Sequence, residues 1–199
     1  AYNPATNKAR KLPASPLAAS QRPIGVWTGR EVIILVSGLN PDRKAYPAAL
    51  ARAAAYNPTT NRWRRIATLP VAFGNPQAAW DGQRVLLVGA GAKGRTTLAF
   101  NPATNTWRVR AAMPTRLGRP YATARPVVWT GTRLMLWRGR DGLAYNPRAN
   151  RWTALPQWPF ASHPNVTMVW SGRALIVWGF TAGATPSLGE GAAFRPVVP

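Results

Sequence analysis

The sequence predicts an all-β protein built from repeated four-stranded antiparallel units. Two repeated phrases lead to this prediction: one contains Asn-Pro and recurs along the whole 199 residues, and one of hairpin type lies between its copies. In addition, no stretch shows sustained helical periodicity, whereas short apolar runs alternate with Gly and Pro. The hydrophobic fraction of 46% is sufficient for a core in a chain of this length.

The first phrase places an aromatic residue before Asn-Pro. Its copies are AYNPATNKARKLP (1–13), AYNPTTNRWRRIATLP (55–70), AFNPATNTWRVRAAMP (99–114) and AYNPRANRWTALP (144–156), with a degenerate AAFRPVVP at 192–199. Because Pro fixes its own backbone angle and Asn bonds back to the chain, each copy predicts two strands, c and d, joined by a tight turn. The strand after the turn carries Trp63, Trp107 or Trp152, which we expect to pack between units.

The second phrase joins a Trp to a Gly-containing turn. Its copies are GVWTGREVIILVSG (25–38), AAWDGQRVLLVGAG (78–91), VVWTGTRLMLWRG (127–139) and MVWSGRALIVWG (168–179). Since Gly supplies the positive backbone angle of a tight turn, each copy predicts a hairpin of two strands, a and b. Strand b is apolar almost throughout, which indicates that neighbouring units cover both faces of the sheet.

The spacing of the first phrase favours a propeller. Its aromatic residues, Tyr2, Tyr56, Phe100, Tyr145 and Phe194, follow at intervals of 54, 44, 45 and 49 residues. A period of about 40 to 50 residues is typical of a propeller or a solenoid, and four strands per period favour the propeller. We therefore expect one array over 1–199: a half-blade at 1–23, blades at about 24–70, 71–119 and 120–160, and a partial blade at 161–199.

This division gives seventeen strands, grouped as two, three sets of four, and three. In a closed ring the first and last copies would occupy the same c position. We therefore expect four to five blades: either a ring that closes on four blades with the last copy displaced, or an incomplete ring of about five. A strand phrase at the second residue favours part of a larger propeller, with a compact four-bladed ring as the alternative.

The repeated residues resemble the kelch repeat over nearly the whole chain. The resemblance rests on Gly at the end of strand b, the Tyr-Asn-Pro phrase in strand c, and Trp six or seven residues after that Tyr. It implies a kelch-like β-propeller. The usual Gly pair is reduced, and Asn replaces the usual Asp at Asn3, Asn57, Asn101 and Asn146.

Composition argues against an enzyme. Kelch-like propellers include copper radical oxidases, whose site needs a Tyr linked to Cys and two His; this chain has no Cys and one His. The Asp boxes of propeller sialidases are absent, and the five acidic residues suggest no acid/base pair. We predict no catalytic site, metal or cofactor. No apolar run reaches the roughly 18 to 20 residues of a transmembrane helix, so we predict no membrane span. The compartment stays open, with a secreted or cell-surface location favoured.

Candidate binding residues lie in the unrepeated segments. Antiparallel order places the two tight turns of a unit on one face and the b–c and d–a loops on the other. The loops vary in length, and loop variation on a regular scaffold usually carries specificity. The candidates on this loop face are Arg22, Arg43, Lys44, Arg116, Arg119, Trp158 and His163. Arg beside aromatic residues suits phosphate, carboxylate or stacked ligands, and the competing interpretation is a solvated basic rim.

We predict from these observations a non-catalytic binding or scaffold module that engages protein partners through the loop face. The alternative is a polyanion binder, for nucleic acid or acidic glycan. It rests on 26 basic residues against five acidic ones, a net charge of +21. Compositional bias is the simpler explanation of that charge, since Arg is spread along the chain. The oligomeric state stays open.

Overall fold

A computed structural model describes residues 1–17, 23–36, 52–71, 73–91, 94–114, 127–138, 141–157, 167–180 and 190–195. These residues form seventeen β-strands and contain no helix, which confirms the all-β prediction. The strands make five antiparallel sheets, of two, four, four, four and three strands. Over the same residues, no helix long and apolar enough to cross a membrane is found.

The sheets follow one another along the chain. An N-terminal hairpin joins β1 (Tyr2–Asn3) to β2 (Lys8–Ala9). Sheet I contains β3 (Ile24–Trp27), β4 (Val32–Val36), β5 (Arg52–Asn57) and β6 (Arg62–Arg65). Sheet II contains β7 (Phe73–Trp80), β8 (Val85–Gly91), β9 (Gly94–Asn101) and β10 (Thr106–Val109).

Two further sheets complete the set. Sheet III contains β11 (Val127–Trp129), β12 (Leu134–Arg138), β13 (Asp141–Asn146) and β14 (Arg151–Leu155). Sheet IV contains β15 (Thr167–Trp170), β16 (Leu175–Phe180) and β17 (Glu190–Phe194). Sheets I to III each hold strands a, b, c and d in that order, as the two phrases predict, and sheet IV holds a, b and c.

The two tight turns of a sheet lie at the same edge. In sheet I, Trp27 pairs with Val32, Val32 with Tyr56, and Tyr56 with Trp63, so one residue from each strand forms a row next to the turns. The same row recurs in sheet II, from Trp80 to Trp107, and in sheet III. We call this edge, with the a–b and c–d turns and the strand residues flanking them, the turn edge.

The a–b turns depend on Gly and on the residue before it. Their glycines have φ between 88° and 96°, the left-handed region that a Cβ atom disfavours. The residue before Gly fixes the turn with its side chain: Asp81 Oδ1 accepts hydrogen bonds from the backbone N–H groups of Gln83 and Arg84, at 2.8 and 2.6 Å. Thr28, Thr130 and Ser171 bond to their own turns through hydroxyl groups.

Central strands bury both of their faces. In β8, Val85 and Leu87 belong to a core shared with sheet I, whereas Leu86 and Val88 belong to a core shared with sheet III. Residues in a strand alternate between faces, so a strand covered on both sides needs an apolar side chain at nearly every position. This explains the continuous apolar runs of strand b.

The sheets pack face to face in chain order. The first strands contact one another, β3 with β7, β7 with β11, and β11 with β15. Three separate apolar cores fill the junctions I–II, II–III and III–IV. We call the face of a sheet toward the following sheet its forward face and the opposite one its rear face.

The forward face of sheet IV is more exposed than that of sheet III at one pair of equivalent positions. Trp137, on the forward face of sheet III, is 3% exposed, and its ring lies 5.2 Å from that of Phe194 in sheet IV. The equivalent on sheet IV is Trp178, which is 60% exposed. Both indoles lie over a glycine of strand c, because a Cβ atom at Gly142 or Gly191 would overlap them. The packing within the sheet is thus the same, and the covering differs.

This pair gives a test of the junctions. Replacing Trp137 by Ala should lower the free energy of unfolding by about 3–5 kcal/mol, as for a large buried aromatic. The same change at Trp178 should cost about 1 kcal/mol or less, because most of that side chain already contacts water. Urea unfolding of the two variants measures both values. Equal losses would show that the forward faces of sheets III and IV are covered alike.

Candidate functional site

The loop-face candidates lie outside the described residues. This holds for every member of the set, Arg22, Arg43, Lys44, Arg116, Arg119, Trp158 and His163. The structure therefore assigns them neither a position nor a neighbour, and the loop face stays a prediction. The described residues instead show what the repeated phrases do.

The Asn-Pro phrase forms the c–d turn with two different asparagines. The first Asn accepts a hydrogen bond from the backbone two residues on, as Asn57 Oδ1 does from Thr59 at 2.9 Å and Asn101 Oδ1 from Ala103 at 2.9 Å. The last residue of each turn is an Asn with positive φ, at values of 50° to 56°. Asn adopts this conformation more readily than other residues with a Cβ atom, so the phrase is suited to the turn.

The second Asn also reaches the preceding sheet. Asn105 Oδ1 accepts a hydrogen bond from the backbone N–H of Ala67 at 3.1 Å, and Trp107 Nε1 donates to the carbonyl of the same Ala67 at 2.8 Å. At the next junction Ala111 is held in the same way, by Asn150 at 2.9 Å and Trp152 at 3.1 Å. The c–d phrases of sheets II and III thus bind both backbone polar groups of one residue that follows the last strand of the preceding sheet.

The contact between the N-terminal hairpin and sheet I lacks the backbone N–H donor and replaces it. The residue equivalent to Ala67 is Pro13, whose carbonyl accepts from Trp63 Nε1 at 3.0 Å but which has no N–H. Asn61 Oδ1 instead accepts from the Arg10 guanidinium and from the Tyr56 hydroxyl, both at 2.7 Å. Arg10 therefore supplies the hydrogen bond that proline cannot.

The residue of the preceding sheet that contacts the aromatic residue of the phrase also differs between sheets. Tyr145 accepts a hydrogen bond from Arg110 Nε at 3.1 Å, and the same guanidinium donates to the Pro147 carbonyl at 2.9 Å. In sheet II the aromatic is Phe100, which has no hydroxyl, and the residue equivalent to Arg110 is Ile66, buried in the same core as Phe100. At this position Tyr145 thus meets a polar residue and Phe100 an apolar one, whereas Tyr56 receives its hydrogen bond from Arg10 Nη2 at 3.2 Å.

An ion pair joins the end of the a–b turn to strand d on the forward face of sheet I. Arg64 donates from Nε to Glu31 Oε1 at 3.0 Å and from Nη2 to Oε2 at 2.7 Å. The Glu31 side chain is 13% exposed and that of Arg64 is 37% exposed. The hydrogen bond from Arg64 lowers the pKa of Glu31 below its ordinary 4.5, against an opposing effect of burial. The pKa of Arg64 is raised by the same contact.

The equivalent positions in the other sheets carry different residues. The last residue of the a–b turn is Glu31, Arg84, Arg133 or Ala174. The strand d residue after Trp is Arg64, Arg108 or Thr153. Sheet II therefore has two arginines where sheet I has an ion pair. The sequence interpretation missed these residues, although aligning the a–b turns of the four copies would have revealed them.

Basic residues dominate the turn edges. In the described turns and flanking strand residues these are Lys8, Arg30, Arg62, Arg84, Arg133, Arg148, Arg151 and Arg173. The carboxylates at these edges are those of Glu31, which is paired with Arg64, and Asp81, which fixes its own turn. Among described residues, no group of three or more His, Cys, Asp or Glu is placed to hold a metal ion.

The sequence matches no protein-family model. It also matches no curated protein at a significant level. The resemblance to the kelch repeat therefore stays a prediction from the residues of the repeated phrases.

The ion pair of sheet I predicts a pH dependence. Because folding lowers the pKa of Glu31, the pair stabilises the fold above the pKa of the unfolded chain, and this contribution is lost as pH falls through the folded-state pKa below 4.5. Glu31→Gln should therefore reduce stability at neutral pH by about 1 kcal/mol or less, since Arg64 is partly solvated, and by less at an acidic pH below the folded-state pKa of Glu31. Urea unfolding at both pH values measures this. An equal loss at both would contradict an ionic origin.

Proposed function

We propose that this chain is a kelch-like β-propeller that serves as a non-catalytic binding or scaffold module for a protein partner. The sheets are taken as blades, with four to five in the ring. Two features support this arrangement: the first strands of successive sheets lie side by side, and a separate core fills each junction. Propeller blades are four-stranded sheets arranged radially, with their first strands nearest the axis.

The use of the repeated residues supports a binding role in the loops. The Trp and Asn of the c–d phrase are occupied by junction contacts at Ala67 and Ala111. Residues held in this way maintain the scaffold, and a partner is left with the segments that differ between repeats. Binding residues on a rigid scaffold usually lie in such segments. The predicted contacts are those of the loop face: Arg22, Arg43, Lys44, Arg116, Arg119, Trp158 and His163.

A polyanion binder is the second candidate, and the basic turn edges favour it. Arg30, Arg62 and Arg173 are exposed there, and none has a carboxylate partner among described residues. Backbones of nucleic acids and acidic glycans bind such rows of positive charge without base or sugar recognition. The two candidates thus place binding at opposite edges of the sheets.

A pair of charge-matched variants separates the two candidates. The loop variant carries Arg43→Ala, Lys44→Ala and Arg116→Ala, and the turn variant carries Arg30→Ala, Arg62→Ala and Arg173→Ala. Each loses three positive charges. A protein captured by the native chain is first purified. The affinities of the native chain and of both variants are then measured for this protein, for a single-stranded oligonucleotide and for heparin. All affinities are measured at about 0.15 M and about 1 M NaCl.

The proposed function predicts a protein complex that persists at the higher salt, weakens about tenfold or more in the loop variant, and is unchanged in the turn variant. If instead only the oligonucleotide or heparin binds, with affinity that falls steeply with salt and is lost in the turn variant, the chain is a polyanion binder. That result would overturn the protein-binding proposal.

A further inference from the structure

The corner of sheet II occupied by Arg84 and Arg108 differs from the same corner of sheet I. In sheet I, Glu31 precedes Val32, which pairs with Tyr56, and Arg64 pairs with Ala55 in the central strand c. The short Ala55 side chain lies between them on the same face, so Arg64 reaches across strand c to the carboxylate. The register alone thus brings these two positions together.

Sheet II has the same register. Arg84 precedes Val85, which pairs with Phe100, and Arg108 pairs with Ala99. Ala99 takes the place of Ala55, and Asn101, whose Oδ1 accepts the Ala103 amide of the c–d turn, takes that of Asn57, so the strand c residues between the two positions match those of sheet I. Strand alternation puts both arginines on the forward face, as it does Glu31 and Arg64. Two guanidinium groups therefore share a corner that in sheet I holds an arginine and a carboxylate.

In the part of the chain that the structure describes, no carboxylate forms an ion pair with Arg84 or Arg108. The ion pair of that part is Arg64 with Glu31. The nearest acid along the chain, Asp81, accepts hydrogen bonds from the turn backbone through its Oδ1 atom. Arg110, two residues after Arg108, is engaged by Tyr145 and Pro147. Arg84 is half-buried and Arg108 is exposed, so the corner is open to a solute.

A hydroxyl group, that of Thr106, lies beside the two guanidinium groups and is hydrogen-bonded to the Thr104 hydroxyl at 2.8 Å. Thr106 pairs with Asn101, in the row of Arg84, and strand alternation places it on the same face as Arg108. Its equivalent in sheet I is Arg62. The corner of sheet II therefore presents two guanidinium forks and a hydroxyl where sheet I has its own internal carboxylate.

We propose that this corner is a binding site for a small tetrahedral oxyanion, a phosphate or sulfate group, which takes the place that the Glu31 carboxylate holds in sheet I. Each guanidinium offers paired N–H donors whose spacing matches two oxygens of such a group, and charge assistance strengthens those bonds. The bound anion also relieves the repulsion between two like charges on one face of a sheet. The site does not depend on the protein-binding function proposed above.

The test measures binding of inorganic phosphate and, separately, inorganic sulfate to the full chain. The Nε–H signals of arginine are followed by NMR while the anion is added at constant ionic strength. Arg84→Glu rebuilds the ion pair of sheet I with Arg108 and should keep the fold. Arg173→Glu is the matched control, because it makes the same charge change at an exposed turn of sheet IV. Arg108→Gln is a second site variant that introduces no new charge.

The site predicts saturable shifts of the Arg84 and Arg108 signals in the native chain and in Arg173→Glu. It predicts about a tenfold or greater loss of affinity in Arg84→Glu and in Arg108→Gln, since each removes one of two charge-assisted donors. No saturable response up to about 50 mM anion, well above the concentration that a specific paired-arginine site requires, would overturn the proposal. So would equal weakening in Arg173→Glu, which would mean general attraction by net charge.

Discussion

Each of the first two junctions between full sheets depends on the backbone of a residue that belongs to no strand. Ala67 and Ala111 follow the last strands of sheets I and II, where the ladder can no longer satisfy their polar groups. The following sheet does so with an Asn oxygen and a Trp nitrogen. An unpaired polar backbone group near a core is costly, so these contacts fix the spacing and orientation of one sheet on the next. The apolar cores can then close between faces already in register.

Much of the fold could be predicted because local and long-range constraints agree. The Asn-Pro and Gly turns set where strands c, d, a and b begin, and the apolar run of strand b requires cover on both faces. The residue that contacts the aromatic side chain of the Asn-Pro phrase could not be predicted in this way. Ile66 beside Phe100 and Arg110 beside Tyr145 occupy one repeat position, and the reason for the difference appears only when two sheets meet.

The candidate site, unlike the fold, could be predicted only to a small extent from the sequence. Length variation indicated the loop face, where Arg43 and Trp158 lie outside the described residues. The Arg84–Arg108 corner was overlooked because neither residue is unusual by itself in so basic a chain. Its character comes from register: Ala99 brings the two positions together across strand c, as Ala55 does in the ion pair of sheet I. In a repeat protein, a candidate site can therefore be found by comparing equivalent positions and noting the sheet whose residues differ.

Hydrogen exchange at Ala67 and Ala111 tests the junction most directly. The account predicts that both amides exchange about 100-fold or more slowly than an unstructured peptide, although neither lies in a strand. Asn105→Gly keeps the positive φ of the turn and removes the acceptor. In this variant the Ala67 amide should exchange rapidly, while Ala111, bonded to Asn150, stays protected. Rapid exchange of Ala67 in the native chain, or equal loss of protection at both residues, would contradict the account.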